Sequence, residues 1–234
     1  MTDTVYYAIG DIHGEIGKLT RLYELIAEDA VRHSAQTMLV HLGDMIDRGP
    51  DPRGVIELAM AMERATNCVS LKGNHEELML NAYDKPDTAG IYHWASNGGD
   101  ETIASYKAAN GQADDWRDAI DREHLKWLRA LPIQHRDETR NILFVHAGID
   151  PRRYPNCPEE VKLWTRSPIF YNPKRWPDRP ELAGLTVVHG HTPTDDFEPD
   201  VRINRINVDT GACFGGPLTA VVLAPGEPAR FLKS

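Results

Sequence analysis

The stretch that decides the reading is Val5-Tyr6-Tyr7-Ala8-Ile9-Gly10-Asp11-Ile12-His13-Gly14. Five apolar residues run into a glycine, and two side chains able to bind a cation follow at once. A run this short and this sharply bounded reads as a buried strand that ends in a turn. The pattern recurs along the chain. Residues 38–42 run into Gly43-Asp44, and residues 68–71 into Lys72-Gly73-Asn74-His75. Residues 142–145 run into His146-Ala147-Gly148, and residues 185–188 into His189-Gly190-His191.

Helical patterns lie between these runs. Ile16, Leu19, Leu22 with Tyr23, and Ile26 mark one apolar face at three- and four-residue spacing. Asp51 followed by Pro52 reads as an N-cap with proline in the first helical position, opening a helix to about Met62. Glu76 and Glu77 fall early in the next helix, where negative charge suits the dipole. Strand alternating with helix predicts an α/β layered fold. Residues 83–140 break the rhythm and read as a helical insertion or cap. After Val187, short strands are expected near 202–208, 218–223 and 230–232. Their Gly/Pro turns point to a second, more antiparallel sheet stacked on the first.

The 234 residues are enough for one domain with a sizeable core. Apolar residues make up 41% and charged residues 26%, which excludes general disorder. The net charge of −9 argues against broad binding to nucleic acid or to an anionic membrane. No leader or membrane-spanning run is read in the sequence, and a cytoplasmic location is expected. Cys68, Cys157 and Cys213 are too few and too scattered for a disulfide framework. Cys157 and Cys213 also lack a neighbouring histidine that would make them nucleophiles.

Five strand ends thus carry Asp11, His13, Asp44, Asn74, His75, His146, His189 and His191. In open α/β sheets, sites form at the carboxyl ends of strands, so distant segments can converge on one pocket. A single aspartate after a strand is an ordinary turn residue. The same coincidence at five ends calls for a ligand. Carboxylate, imidazole and amide without sulfur suit Mn²⁺, Fe²⁺ or Zn²⁺. The set is long for one ion and natural for two sharing a carboxylate. Such a pair clamps a phosphate and activates a water.

Gly10-Asp11-Ile12-His13-Gly14, Gly43-Asp44-Met45-Ile46-Asp47-Arg48-Gly49 and Gly73-Asn74-His75-Glu76 resemble the three signatures of phosphoprotein phosphatases, within the calcineurin-like metallophosphoesterases. His146-Ala147-Gly148 and Gly190-His191-Thr192 are similar to that family's two later histidine motifs. Trp94, Asn97-Gly98-Gly99, Thr102 and Ser105-Tyr106 resemble its compact bacterial members. The resemblance implies a four-layer sandwich of two stacked mixed β-sheets flanked by helices, in one domain spanning 1–234 with the 83–140 insertion within it. It implies two divalent ions, Mn²⁺ foremost, with Asp11 and His13 on the first and Asp44 bridging. Asn74, His146 and His191 would hold the second, and His189 would stand behind the ligands. His75 would be the general acid, with Asp47 orienting its ring. Arg48, Arg166 and Asn74 would bind the substrate phosphate.

The implied activity is phosphomonoester hydrolysis by direct attack of a metal-bridging hydroxide. The substrate would be phosphoserine or phosphothreonine in a protein, or a small phosphoester. A symmetrical dinucleoside tetraphosphate hydrolase is the alternative; Asp47 directly before Arg48 favours the protein phosphatase. A binding module that has lost catalysis would show degraded motifs, and no expected ligand or acid position is missing. His41 is expected to be structural. Asp209 is expected in a turn or behind the ligands, and Arg152, Arg153, Arg202 and Arg205 on solvated loops.

Overall fold

The computed structural model describes residues 4–85 and 87–234. Met1, Thr2 and Asp3, part of the N-terminal stretch read for a leader, lie outside the described residues, as does Pro86 within the 83–140 segment. The opening run forms β1 (Val5–Ile9), buried along its whole length. It lies at the middle of a five-stranded sheet of order β10-β9-β1-β2-β3. β2 (Thr37–His41) and β3 (Cys68–Ser70) follow in parallel on one side. β9 (Thr219–Leu223) and β10 (Arg230–Lys233) are antiparallel on the other. The second sheet has the order β4-β5-β6-β8-β7. It is built from β4 (Gln134–Asp137), β5 (Ile142–Val145), β6 (Thr186–His189), β7 (Asp200–Arg202) and β8 (Arg205–Asn207). β5, β6 and β8 run parallel, and β4 and β7 are antiparallel edges.

Alternate residues of a strand face opposite sides, and β1 shows what that does to packing. Val5, Tyr7 and Ile9 pack against helices. These are α1 (Ile16–Ala30), α2 (Pro52–Ala65), α3 (Asn74–Asp84), α5 (Asp100–Asn110) and α6 (Arg122–Ala130). Tyr6 and Ala8 face the second sheet and meet Phe144, Val188 and Ile206. The far face of that sheet, with Leu143, Val145 and Val187, is covered by Tyr154, Phe170 and Leu182. The fold is therefore α/β, with two mixed sheets face to face and helices outside each. Asp51 caps α2 by accepting from the Gly54 N–H at 2.9 Å, with Pro52 next in the chain.

Two expectations are corrected. The last two strands do not build a second sheet; they complete the first, β9 pairing with β1, with Tyr7 opposite Val222, and β10 pairing with β9. The second sheet takes β5 and β6 from the earlier alternation and adds a hairpin, β7–β8, where one strand was expected. Apolar runs mark strands but carry no address for the partner. The 83–140 segment is also not helical throughout. It holds α4 (Thr88–Trp94), α5 and α6, and then the polar edge strand β4, which lacks the apolar run that would have marked it. No described helix is long and apolar enough to cross a membrane.

Phe144 is wholly buried between the sheets, with its ring centroid 4.9 Å from that of Tyr6. Phe144→Ala should cost about 3–5 kcal/mol. Urea denaturation should show this as a lower midpoint at an unchanged slope. A loss below about 1 kcal/mol would show that the sheets are not held together there.

Candidate active site

The turns after β1, β2, β3, β5 and β6 meet at one end of the sandwich. Backbone bonds lock them together. The Ile12 and His13 N–H groups both donate to Asp44 O, at 3.0 and 2.9 Å. Gly190 N–H donates to His146 O at 2.8 Å. The two sheets are joined by His146 Nδ1–H on Leu42 O at 2.9 Å and by His191 N–H on both Asp11 carboxylate oxygens, at 3.0 and 3.1 Å. Among the described residues seven non-glycine positions have positive φ, and five of them, His13, Asp44, Asp47, Arg48 and His191, belong here. Left-handed backbone at ordinary residues is strained, and its concentration at one place marks a site where geometry overrides local preference. Gly73 and Gly190 permit the close approach: a Cβ on either would fall about 2 Å from an oxygen of Asp44 or Asp11.

Asp44 stands at the centre. Its Oδ2 lies 3.6 Å from His13 Nε2, 3.4 Å from His146 Nε2 and 3.9 Å from His75 Nε2. Its Oδ1 accepts the His75 N–H at 2.9 Å, so the N-terminus of α3 faces the carboxylate. Glu76 fixes the turn from beneath. Its buried carboxylate takes the N–H groups of Asp44, Met45 and Gly73 at 2.9, 2.8 and 2.7 Å. On the far side, Asn74 Oδ1 is 2.8 Å from both His146 Nε2 and His191 Nδ1, which are 3.2 Å apart. Two sets of groups fit to hold a metal share one residue: His13, Asp44 and His75, and Asp44, His146 and His191.

The donor chemistry fits cations. His13 Nδ1–H is spent on Ile46 O at 2.8 Å, which leaves the Nε2 lone pair facing Asp44. His146 Nδ1 is spent in the same way on Leu42 O, so its Nε2 stands against the Asn74 oxygen and the His191 ring, three ligand-type groups drawn to one point. Burial alone would lower the His146 pKa, yet the Asp44 carboxylate beside it raises it to about 10. The position demands a positive charge. Burial, then the His146 ring, hold His191 down at about 3, so its ring stays neutral and fit to hold a cation. Asp11 is pushed well above the usual carboxylate range by burial and by Asp209 next to it. Asp209, also buried, is pushed up to about 6. Opposed carboxylates without a counter-charge are what divalent ions relieve.

A second device adjoins the first. Asp47, fully buried, accepts His75 Nδ1–H at 2.6 Å. Thr102 Oγ1–H donates to it at 2.6 Å, and Trp94 Nε1–H reaches both of its oxygens at 3.1 and 3.0 Å. The Asp47 N–H returns to Thr102 Oγ1 at 3.0 Å. Residues 94–102 therefore brace the His75–Asp47 pair and turn His75 Nε2 toward Asp44.

All the sequence-derived candidates come to this end of the sandwich. Arg48 Nη1 lies 2.9 Å from His13 Nε2, and Arg166 Nε lies 3.3 Å from His191 Nε2. Asp11 reaches the cluster through the His191 backbone. His189 is buried behind it, with Nδ1 3.0 Å from Gly190 O and Nε2 facing Arg205 Nη1 at 3.3 Å. His41 bonds Tyr23 and Ser70 in the interior. The expectation for Arg205 is corrected: it is 2% exposed, binding Tyr171 O and Asp200. An arginine that closes a half-buried carboxylate and a carbonyl looks in sequence like any surface arginine. The grips of Glu76, Trp94 and Thr102 are not read from the sequence, although Glu76 closes the motif Gly73-Asn74-His75-Glu76 and Trp94 and Thr102 fall among the residues that resemble the compact bacterial members.

The pattern of the calcineurin-like phosphoesterase family matches residues 5–216. A relative from Anoxybacillus flavithermus, named bis(5'-nucleosyl)-tetraphosphatase PrpE [asymmetrical], is 27% identical over 93% of this chain and 89% of its own. Among solved structures the chain is similar to a proposed diadenosine tetraphosphatase, with TM-score 0.65 and 21% identity over 99% of this chain and 94% of that one. It is also similar to the cold-active protein-tyrosine phosphatase of a Shewanella species, with TM-score 0.59 and 16% identity over 99% and 82%. The two structural likenesses speak for the fold, whereas the family match extends over nearly the whole sequence, strand-end motifs included: the chain belongs to the calcineurin-like phosphoesterases.

Proposed function

We propose that this phosphoesterase cleaves dinucleoside tetraphosphates asymmetrically, with two divalent ions in the cluster. The observation that carries the hydrolytic reading is Asp44, shared between two clusters of metal-type groups, one of which also holds the braced His75. The substrate reading is supported by the name of the A. flavithermus relative, which speaks for an asymmetrical cut rather than the symmetrical one weighed from sequence. Asp11 and His13 would hold one ion, Asn74, His146 and His191 the other, and Asp44 both. The ligand types suit Mn²⁺, Fe²⁺ or Zn²⁺. When bound, the ions neutralise phosphate oxygens and lower the pKa of a coordinated water.

The chain's own residues do the rest. Arg48 and Arg166 present planar forks to phosphate oxygens. The Asn74 amide nitrogen is free to donate to the same group, since its oxygen faces His146 and His191. Asp47 fixes the Nδ1–H tautomer of His75, so that Nε2 faces the reacting end. A proton at His75 Nε2 then passes to the leaving oxygen as its bond to phosphorus breaks.

The same pair favours a second reading. An alkoxide leaves badly without a proton, whereas a phosphate leaving group needs one less. A braced acid therefore suits a phosphoserine or phosphothreonine monoester, as the motif Asp47-Arg48 also does. Diadenosine tetraphosphate and a phosphoserine peptide, each assayed with Mn²⁺-loaded protein, separate the two. The proposal expects ATP and AMP from the dinucleotide. ADP alone would mean a symmetrical cut, and a higher kcat/KM for the peptide would install the second reading.

His75→Asn should lower kcat about 10²–10⁴-fold on alkyl phosphates and distinctly less on p-nitrophenyl phosphate, whose leaving group needs no acid. Equal losses on both would remove the acid role. Asp44→Asn should lose both ions together in equilibrium dialysis with elemental analysis. Two equivalents retained would refute the shared carboxylate.

A further inference from the structure

Six large apolar residues among those described stand well exposed, and one of them, Phe214, touches the candidate site. Its ring lies 5.4 Å from Arg48 Cζ, with 56% of the residue open to solvent. Arg48 in turn reaches His13 at 2.9 Å. Phe214 thus stands one guanidinium away from the cluster, with Arg48 on one face of the ring.

The ring is carried by a pinned turn. Phe214 ends a single helical turn, Ala212–Phe214, flanked by Gly211 and Gly215 in left-handed conformation, φ 67° and 96°. Phe214 N–H and Gly216 N–H both donate to Gly211 O, at 2.8 and 3.0 Å. Lys18, from α1, donates its Nζ to Ala212 O and Gly216 O at 2.5 and 3.0 Å. Phe197 packs beneath Gly211 and Gly216. Arg48 is fixed from another side: its N–H donates to Gly98 O at 3.0 Å, and a Cβ on Gly98 would meet its Cγ at 2.6 Å. An exposed aromatic ring held this firmly beside a phosphate-type arginine is a preorganised surface rather than a loose side chain.

We propose that Phe214 is the stacking platform for a nucleobase of the substrate, with the phosphate chain crossing Arg48 to the metal cluster. This rests on the dinucleoside tetraphosphate reading above. Every base has a π-face, so the platform selects nucleoside polyphosphates as a class over bare phosphoesters without choosing one base. It gives Arg48 two duties, gripping phosphate and backing the ring.

The competing role is a mere brace for Arg48, and the test separates the two. KM for diadenosine tetraphosphate and Ki for inorganic tripolyphosphate, which has phosphates and no base, are measured on Mn²⁺-loaded protein. Phe214→Ala should raise KM about tenfold, within the range of one lost base stack, while Ki moves less than twofold. Phe214→Trp should restore KM, and Phe214→Leu, apolar but without a π-face, should not. A parallel rise of KM and Ki in Phe214→Ala would make the ring a brace and overturn the platform. So would a KM within twofold of the unaltered protein. Unaltered protein that cleaves p-nitrophenyl phosphate but neither cleaves nor binds diadenosine tetraphosphate would overturn the substrate reading and the platform together.

Discussion

Everything at this end of the sandwich depends on burying the Asp44 carboxylate among imidazoles. Burial works to raise its pKa, but the charges of His146 and His75 outweigh that, and Asp44 stays well below the usual carboxylate range. An ionised carboxylate so deep needs opposite charge close by. The fold meets part of that need with the N-terminus of α3 and with these imidazoles, and the gap between His13 and His146 leaves room for a cation to meet the rest. Glu76 makes the arrangement harder still. It adds a second buried carboxylate whose three backbone bonds hold the Asp44 turn and the Gly73 turn at a fixed separation. Charge is concentrated first and balanced by what binds.

The sheets make this possible because they stack with their parallel strands ending together. Asp11, Asp44 and Asn74 come from the first sheet, His146 and His191 from the second. Neither sheet alone assembles the set. The contacts that bridge them, His146 to Leu42 and His191 to Asp11, join metal-type ligands of one sheet to the other. Stability of the sandwich and integrity of the cluster are therefore one property. The segment around 94–102 adds a separate layer of control, since Trp94 and Thr102 set the position of Asp47 without facing the Asp44 cluster.

Much of this was legible in the chain. Each parallel strand is an apolar run closed by glycine and a ligand-type residue, so the strand and its chemistry arrive in the same dozen residues, as in Ile9-Gly10-Asp11-Ile12-His13. Pairing was not legible. β9 sits beside β1, with β10 beyond it, so that Tyr7 and Val222 fall opposite one another across a gap of more than 200 residues, and no local pattern records that. β4 escaped because an edge strand need not be apolar. Arg205, Trp94 and Thr102 escaped for a related reason. Their partners, Asp47 for Trp94 and Thr102 and the Tyr171 carbonyl with Asp200 for Arg205, are announced by no local pattern, and a polar side chain looks the same whether it meets water or a carboxylate.

Crystals soaked in manganese and measured at a wavelength where the metal scatters anomalously test the central claim most directly. The account predicts two peaks about 3.5–4 Å apart, with Asp44 Oδ2 between them and His13 and His146 on opposite sides. One peak, or two that do not share Asp44, would contradict it.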